Sequence, residues 1–233
     1  MGRSLVVRGM LKLLAVAAVL VPLVIALEAG QTAKPISVEG GTGLEFVQVV
    51  PQKATFKEHK ALRLVQTPNP TREGVALVNG VEFKNGTIEV DLAGLPGTDS
   101  GEGARGFVGI AFRSAAHAEA FECFYIRPTN GRAADQLRRN HSTQYVSEPQ
   151  FPWQKLRAEN PGVYESYVDL DTGVWTHLRL DVDGVRARLF VNGAPQPALI
   201  VNDLKRGVVS GQVGLWIGSG TEAYFRNLQI SSR

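Results

Sequence analysis

From Ile36 onward apolar and polar residues alternate in short runs, and no stretch carries the spacing of an amphipathic helix. The runs Leu44–Val50, Ala61–Gln66, Gly74–Val78, Thr87–Leu92, Phe107–Arg113, Phe121–Arg127, Tyr164–Asp169, Thr176–Val182, Arg186–Val191, Gln212–Ile217 and Ala223–Ile230 predict strands. Asn79-Gly80, Asn85-Gly86, Asp183-Gly184 and Asn192-Gly193 fall between them, and such pairs reach the positive φ of tight hairpin turns. Thr176 to Val191 is the clearest hairpin, with Asp183-Gly184 at its tip. Roughly eleven short strands in one chain predict a two-sheet, all-β sandwich.

Period-2 alternation assigns faces. Ile88, Val90 and Leu92 point one way, and Thr87, Glu89 and Asp91 the other. Val108, Ile110 and Phe112 form a core face. Phe107, Gly109, Ala111 and Arg113 lie opposite, where two small residues beside an arginine leave room for a ligand. Phe121, Cys123, Tyr125 and Arg127 share one face of the next strand, and Glu122, Phe124 and Ile126 the other.

Pro128 to Gly162 breaks the pattern and is expected to be a long loop; insertions of that length in a compact domain are often functional. Leu95–Gly106 reads as a flexible loop joining two strands of the same sheet.

Charge sharpens this picture. The chain has 233 residues and a formal net charge of +3. Arg3, Arg8 and Lys12 precede an apolar run of 15 residues, Leu13–Leu27. That arrangement describes a secretory signal over residues 1–29, shorter than the roughly 20 residues a bilayer span needs. An uncleaved anchor is the alternative, since no clean Ala-x-Ala cleavage site is present. Residues 30–43 then read as a linker and residues 44–233 as one domain, in an exported protein, periplasmic or extracellular. With the signal removed, basic and acidic residues nearly balance, which removes the support for nucleic-acid binding or for a membrane span in the mature chain. Between Arg127 and Arg157 stand six basic residues against Asp135 and Glu148, so the positive charge concentrates in the expected loop. The single cysteine excludes an intrachain disulfide.

Six segments carry a resemblance. Phe83-Lys-Asn-Gly-Thr-Ile-Glu-Val-Asp-Leu92 is followed by Gly106-Phe-Val-Gly-Ile-Ala-Phe-Arg113. Trp175-Thr-His-Leu-Arg-Leu180 comes with Arg188-Leu-Phe-Val-Asn-Gly193, then Gly214-Leu-Trp-Ile-Gly218 with Ala223-Tyr-Phe-Arg-Asn-Leu-Gln-Ile230. In this order they resemble the concanavalin A-like lectin/glucanase superfamily, and within it the 3-keto-disaccharide hydrolase-like and laminin-G-like domains of bacterial secreted proteins. The resemblance covers roughly Val47 to Ile230. It implies an antiparallel jelly roll and a carbohydrate ligand, and leaves lectins, glycosidases and adhesion modules all open.

Glu89 and Asp91 stand about 7 Å apart on one strand face, a spacing that suits a glycosidase pair or a solvated face equally. The Glu-x-Asp-x-x-Glu pattern of glucanases on this fold is incomplete, because Gly94 occupies its last position. The resemblance makes Arg113 and Glu122 site candidates, with an ion pair at the sheet edge as the rival. Asp135-Gln-Leu-Arg-Arg-Asn-His-Ser-Thr-Gln-Tyr145 packs donors, acceptors, an imidazole and an aromatic into one run. Glu122 or Asp135 is the expected acid/base, with His141 as its helper. Arg113, Tyr125, Arg127, Arg132, Gln136, Arg138, Arg139, Asn140, Gln144, Tyr145 and Trp153 are the expected ligand contacts. Arginine suits an anionic sugar such as a uronate, and Tyr145 and Trp153 could stack on a sugar face. The four scattered histidines give no transition-metal spacing. No cofactor is expected; Asp169 and Asp171 are the calcium candidates, or a plain turn before Gly173. The expectation is carbohydrate recognition, with or without hydrolysis, under the 128–162 loop.

Overall fold

The computed structural model describes residues 1–2, 33–98 and 100–233. The segment expected to be an export signal therefore lies outside the described residues, apart from its first two. Residue 33 onward carries β1 (Lys34–Ile36), β2 (Leu44–Val47), β3 (Val49–Phe56), β4 (His59–Gln66), β5 (Gly74–Val78), β6 (Gly86–Pro96), β7 (Val108–Ser114) and β8 (Phe121–Ile126). It continues with α1 (Gln136–Asn140), β9 (Thr143–Glu148), α2 (Trp153–Glu159), β10 (Glu165–Ser166), β11 (Thr176–Asp183), β12 (Arg186–Val191), β13 (Leu199–Val201), β14 (Gln212–Ile217) and β15 (Thr221–Ser232).

Two antiparallel sheets form the sandwich. One runs β13-β12-β11-β6-β15-β4-β3, with β1 added against β15; the other runs β10-β9-β8-β7-β14-β5-β2. The alternation read from sequence puts Ile88, Val90 and Leu92 of β6 and Leu178, Leu180 and Val182 of β11 into the core. Ile110 and Phe112 of β7 and Phe124 and Ile126 of β8 meet them from the facing sheet. The β11–β12 hairpin forms, with Asp183 opposite Arg186 and Gly184-Val185 at the tip, one residue beyond the expected Asp183-Gly184.

Four expectations change. Leu44–Val50 divides at Gln48, whose φ of 55° turns the chain from β2 in one sheet to β3 in the other. Leu95–Gly106 joins β6 and β7, which belong to different sheets. The stretch read as a linker contributes β1, paired with β15 through Pro35 and Gln229. The expected 128–162 loop holds α1, α2 and a full sheet strand, β9. Its strand signal is hidden because Thr143, Gln144 and Ser147 are buried polar residues, so no apolar/polar alternation marks it.

Candidate functional site

Register builds the site on the face of the second sheet that points away from the core. Glu165 of β10 pairs with Gln144 of β9, Gln144 with Tyr125 of β8, Tyr125 with Gly109 of β7, and Gly109 with Trp216 of β14. These five residues form one row across five strands. Gly109 is required by this row: a Cβ there would stand 2.2 Å from the Phe124 carbonyl oxygen and 2.6 Å from Tyr125 Cα. Over the bare glycine, Tyr125 and Trp216 stack with ring centroids 4.6 Å apart.

Arg127, just past the end of β8, lies on top of this row. Its Nη2 donates to the Tyr125 hydroxyl at 2.9 Å and to Gln144 Oε1 at 3.1 Å, and its Nη1 donates to the His141 carbonyl at 3.0 Å. Glu165 is the anion among these cations. Arg157 of α2 donates from Nε and Nη2 to its two carboxylate oxygens at 2.9 and 2.6 Å. His141 Nε2 lies 3.1 Å from Glu165 Oε1, and Arg127 Nη1 lies 4.0 Å from Oε2. Arg127 and Glu165 are almost wholly buried, whereas His141 and Arg157 keep an exposed edge. Pairing on several sides is what permits a carboxylate at this depth.

His141 follows α1, and burial together with four charged neighbours, Asp135 the weakest of them, sets its titration. Burial lowers its pKa first; Glu165 raises it, and Arg157 and Arg127 lower it again. The result is an imidazole held below its ordinary value and therefore neutral at pH 7, with a lone pair able to take a proton.

Two cavities meet at this point. One, of about 420 Å³, is lined among others by Arg105, Phe107, Arg127, Arg138, His141 and Trp153. The other, of about 750 Å³, is lined among others by Leu137, Asn140, His141, Glu165 and Tyr167. Leu137, His141 and Arg157 line both. Arg105 is pushed below its ordinary pKa by burial and by the charges of Arg138 and Arg127, a sign of an electropositive first chamber.

The expected site residues divide into four groups. Tyr125, Arg127, His141, Gln144 and Trp153 do converge, with Tyr125 and Gln144 as supports beneath the cleft. Asp135, Arg138 and Asn140 stand on the cavity walls. Asp135 caps α1 by accepting from the Arg138 amide at 2.6 Å, and the Arg138 Nε donates to Asn130 Oδ1 at 2.9 Å. Gln136 is exposed and donates to Asn140 Oδ1. Arg139 is drawn to the Tyr167 hydroxyl at 3.1 Å. Arg132 pairs with Asp169 and Asp171, both at 2.9 Å, so the calcium candidates are held by a guanidinium. Among the described residues no group of three or more His, Cys, Asp or Glu is placed to hold a metal ion.

Arg113, Glu122 and Tyr145 are corrections. Arg113 has φ 49°, which breaks the alternation at the end of β7 and turns its side chain inward. There it is fully buried and donates to the carbonyls of Lys84, Gly184 and Gly207, tying together turns from separate parts of the chain. Glu122 shares the core face with Phe124. It accepts from the Tyr145 hydroxyl and from the Arg206 amide at 2.8 Å, while the same hydroxyl accepts from the Lys205 amide at 2.7 Å. Burial raises the Glu122 pKa against those hydrogen bonds. All three residues are interior anchors for the chain around Lys84 and Lys205 and none lines the cleft.

Sequence reasoning missed Glu165, Arg157, Arg105 and Asn130 as site residues. Glu165 had a signal, since it lies in the run Tyr164–Asp169 that reads as a strand, but its partner strand β9 was hidden.

Comparison with known proteins fits this geometry. No curated protein matches the chain. Among solved structures, the carbohydrate-binding module CBM66 from Bacillus subtilis superposes with TM-score 0.57 at 17% identity, over 82% of this chain and 96% of that one. A Bacillus subtilis protein with a galectin-like fold superposes with TM-score 0.55 at 12% identity, over 86% and 98%. At such identities the likeness establishes the fold, a lectin-type jelly roll. The family is fixed by sequence: residues 36–231, which span the whole row from Gly109 to Trp216 and both short helices, match the model of the 3-keto-alpha-glucoside-1,2-lyase-like domain, and the chain belongs to that family.

Proposed function

We propose that the cleft binds a glycoside and, when its sugar is oxidised at C3, removes the C2 proton and expels the substituent at C1. The observation that carries this reading is the neutral His141 beside Glu165 at the waist where the two chambers meet. A ketone at C3 acidifies the C2–H bond. The imidazole lone pair takes that proton, the C–H electron pair becomes the C2–C3 enolate, and its collapse breaks the C1–O bond. The products are a 1,2-unsaturated 3-keto sugar and, after protonation, a free alcohol. Glu165 stabilises the imidazolium that forms. Arg157 spends Nε and Nη2 on Glu165, which leaves Nη1 for the enolate oxygen. The chamber lined by Arg105, Arg127, Arg138 and Arg157 also favours an acidic sugar over a neutral one.

The test is release of nitrophenol from p-nitrophenyl 3-keto-α-glucoside. Wild type should release it, deuterium at C2 should slow the release, and Glu165→Gln should abolish most of it. Tight binding with no release, unchanged in the variant, would instead identify a carbohydrate-binding or adhesion module. Export is supported by Arg3, Arg8, Lys12 and the Leu13–Leu27 run; recovery of the full-length chain in the soluble cytoplasmic fraction would contradict it.

A further inference from the structure

Beside the cleft lies a third pocket of opposite character. It is about 170 Å³ and is lined by the aromatic rings of Phe107, Tyr125, Trp153 and Trp216, by Glu73 and Glu148, and by smaller residues around them. It shares Phe107 and Trp153 with the first chamber, yet no lysine or arginine lines it. Glu73 comes from the chain between β4 and β5, and Glu148 ends β9, so two distant segments deliver carboxylates to one aromatic pocket. Trp216 is buried and stacks on Tyr125, so the aromatic wall is fixed in place.

We propose that this pocket binds the ammonium-bearing ring of an amino sugar. Two carboxylates attract and accept hydrogen bonds from an ammonium group, and aromatic rings attract an organic cation. The same rings accept the C–H face of a pyranose. A hydrated divalent ion is a poor fit, because aromatic walls cannot replace its water ligands. The amine is read from this pocket alone; only its sugar carrier rests on the glycoside reading above, through the wall shared with the first chamber.

The pocket itself carries a mark of this demand. Burial, and secondarily the charge on Glu73, push Glu148 up to about 7. The other titratable groups nearby are Cys123 and Tyr125, both raised by burial and both neutral there, and Arg127 beyond Tyr125. A bound cation therefore displaces the proton from Glu148, and affinity should rise severalfold between about pH 5.5 and 7, where the amine stays protonated.

Titration calorimetry of the full chain with glucosamine, N-acetylglucosamine, glucose and calcium chloride tests this. Glucosamine should bind roughly tenfold more tightly than its N-acetyl form, the equivalent of one charge-assisted contact. Glu73→Gln with Glu148→Gln should remove that preference while leaving nitrophenol release from the keto-glucoside intact. Equal affinities for glucosamine and glucose would overturn the proposal, as would calcium binding more tightly than the amine. The rise with pH is read on the wild-type protein, so a variant that fails to fold does not shelter the idea: a flat pH profile also overturns it. Loss of nitrophenol release in wild type, with the amine preference kept, would fault the catalytic reading instead.

Discussion

Glu165 Oε1 lies 3.1 Å from His141 Nε2, although the two residues belong to different elements, and Arg157 grips the same carboxylate from a third. This contact places a buried anion against the imidazole that we assign as base. Glu165→Gln keeps the shape and removes the charge. The expected result is a fall in kcat of about a hundredfold or more, with a smaller change in KM. Some stability should also be lost, because Arg127 and Arg157 keep their charges without a counter-ion. A kcat within twofold of wild type would remove Glu165 from the reaction.

The pH dependence follows from the same contact. His141 holds its proton less tightly in the folded protein than in the unfolded chain. Its contribution to stability is therefore present above the ordinary histidine value of about 6.5 and is lost as the pH falls below it. The acid limb of the kcat/KM profile should likewise lie below that value. Glu165 raises the His141 pKa, so in Glu165→Gln the residual activity should show its acid limb at still lower pH. A limb that moves upward in the variant would contradict the electrostatics described here.

Trp153 is a half-exposed wall of the first chamber, with the Arg157 guanidinium 4.6 Å from its ring and Arg127 6.0 Å away. Trp153→Ala should weaken glycoside binding by about 1–2 kcal/mol, the value of a lost aromatic platform. It should also leave the thermal midpoint nearly unchanged. The measurement is affinity by calorimetry beside a melting curve; an unchanged affinity would exclude Trp153 from the ligand surface.

The legibility of the site followed the legibility of its strands. Tyr125 and Gly109 alternate cleanly in sequence, and both stand where the alternation put them. His141 and Arg127 were visible as unusual residue types, but their relationship was not, because it depends on β9 and β10. β9 buries polar residues on both faces and β10 is two residues long, so neither leaves a periodic trace. Arg113 misled for a different reason. One positive φ reversed its direction, and no neighbouring glycine or proline announces that turn. Glu122 was assigned to the same face as Phe124 and Ile126, which already implied burial; reading it as a site residue followed the family resemblance against its own strand pattern.

Arg113 and Glu122 give the last prediction, which separates anchors from site. Arg113→Ala leaves the carbonyls of Lys84, Gly184 and Gly207 without their buried donor. Each unsatisfied group costs about 1–3 kcal/mol, so the variant should lose about 3 kcal/mol or more, seen as a lower urea midpoint. Glu122→Gln should behave differently. Burial raises the Glu122 pKa, so the folded protein holds this proton more tightly than the unfolded chain. The carboxyl is therefore favourable at acid pH, and it costs stability as the pH rises through the ordinary glutamate range toward the raised value. Gln carries no such dependence and still offers an acceptor to the Arg206 amide, so the variant's urea midpoint should fall less than wild type's over that rise. Both variants should keep wild-type affinity and kcat per folded molecule, because neither residue lines the cleft. A kcat lost in Glu122→Gln with stability intact would return that carboxylate to the reaction and displace Glu165 from it.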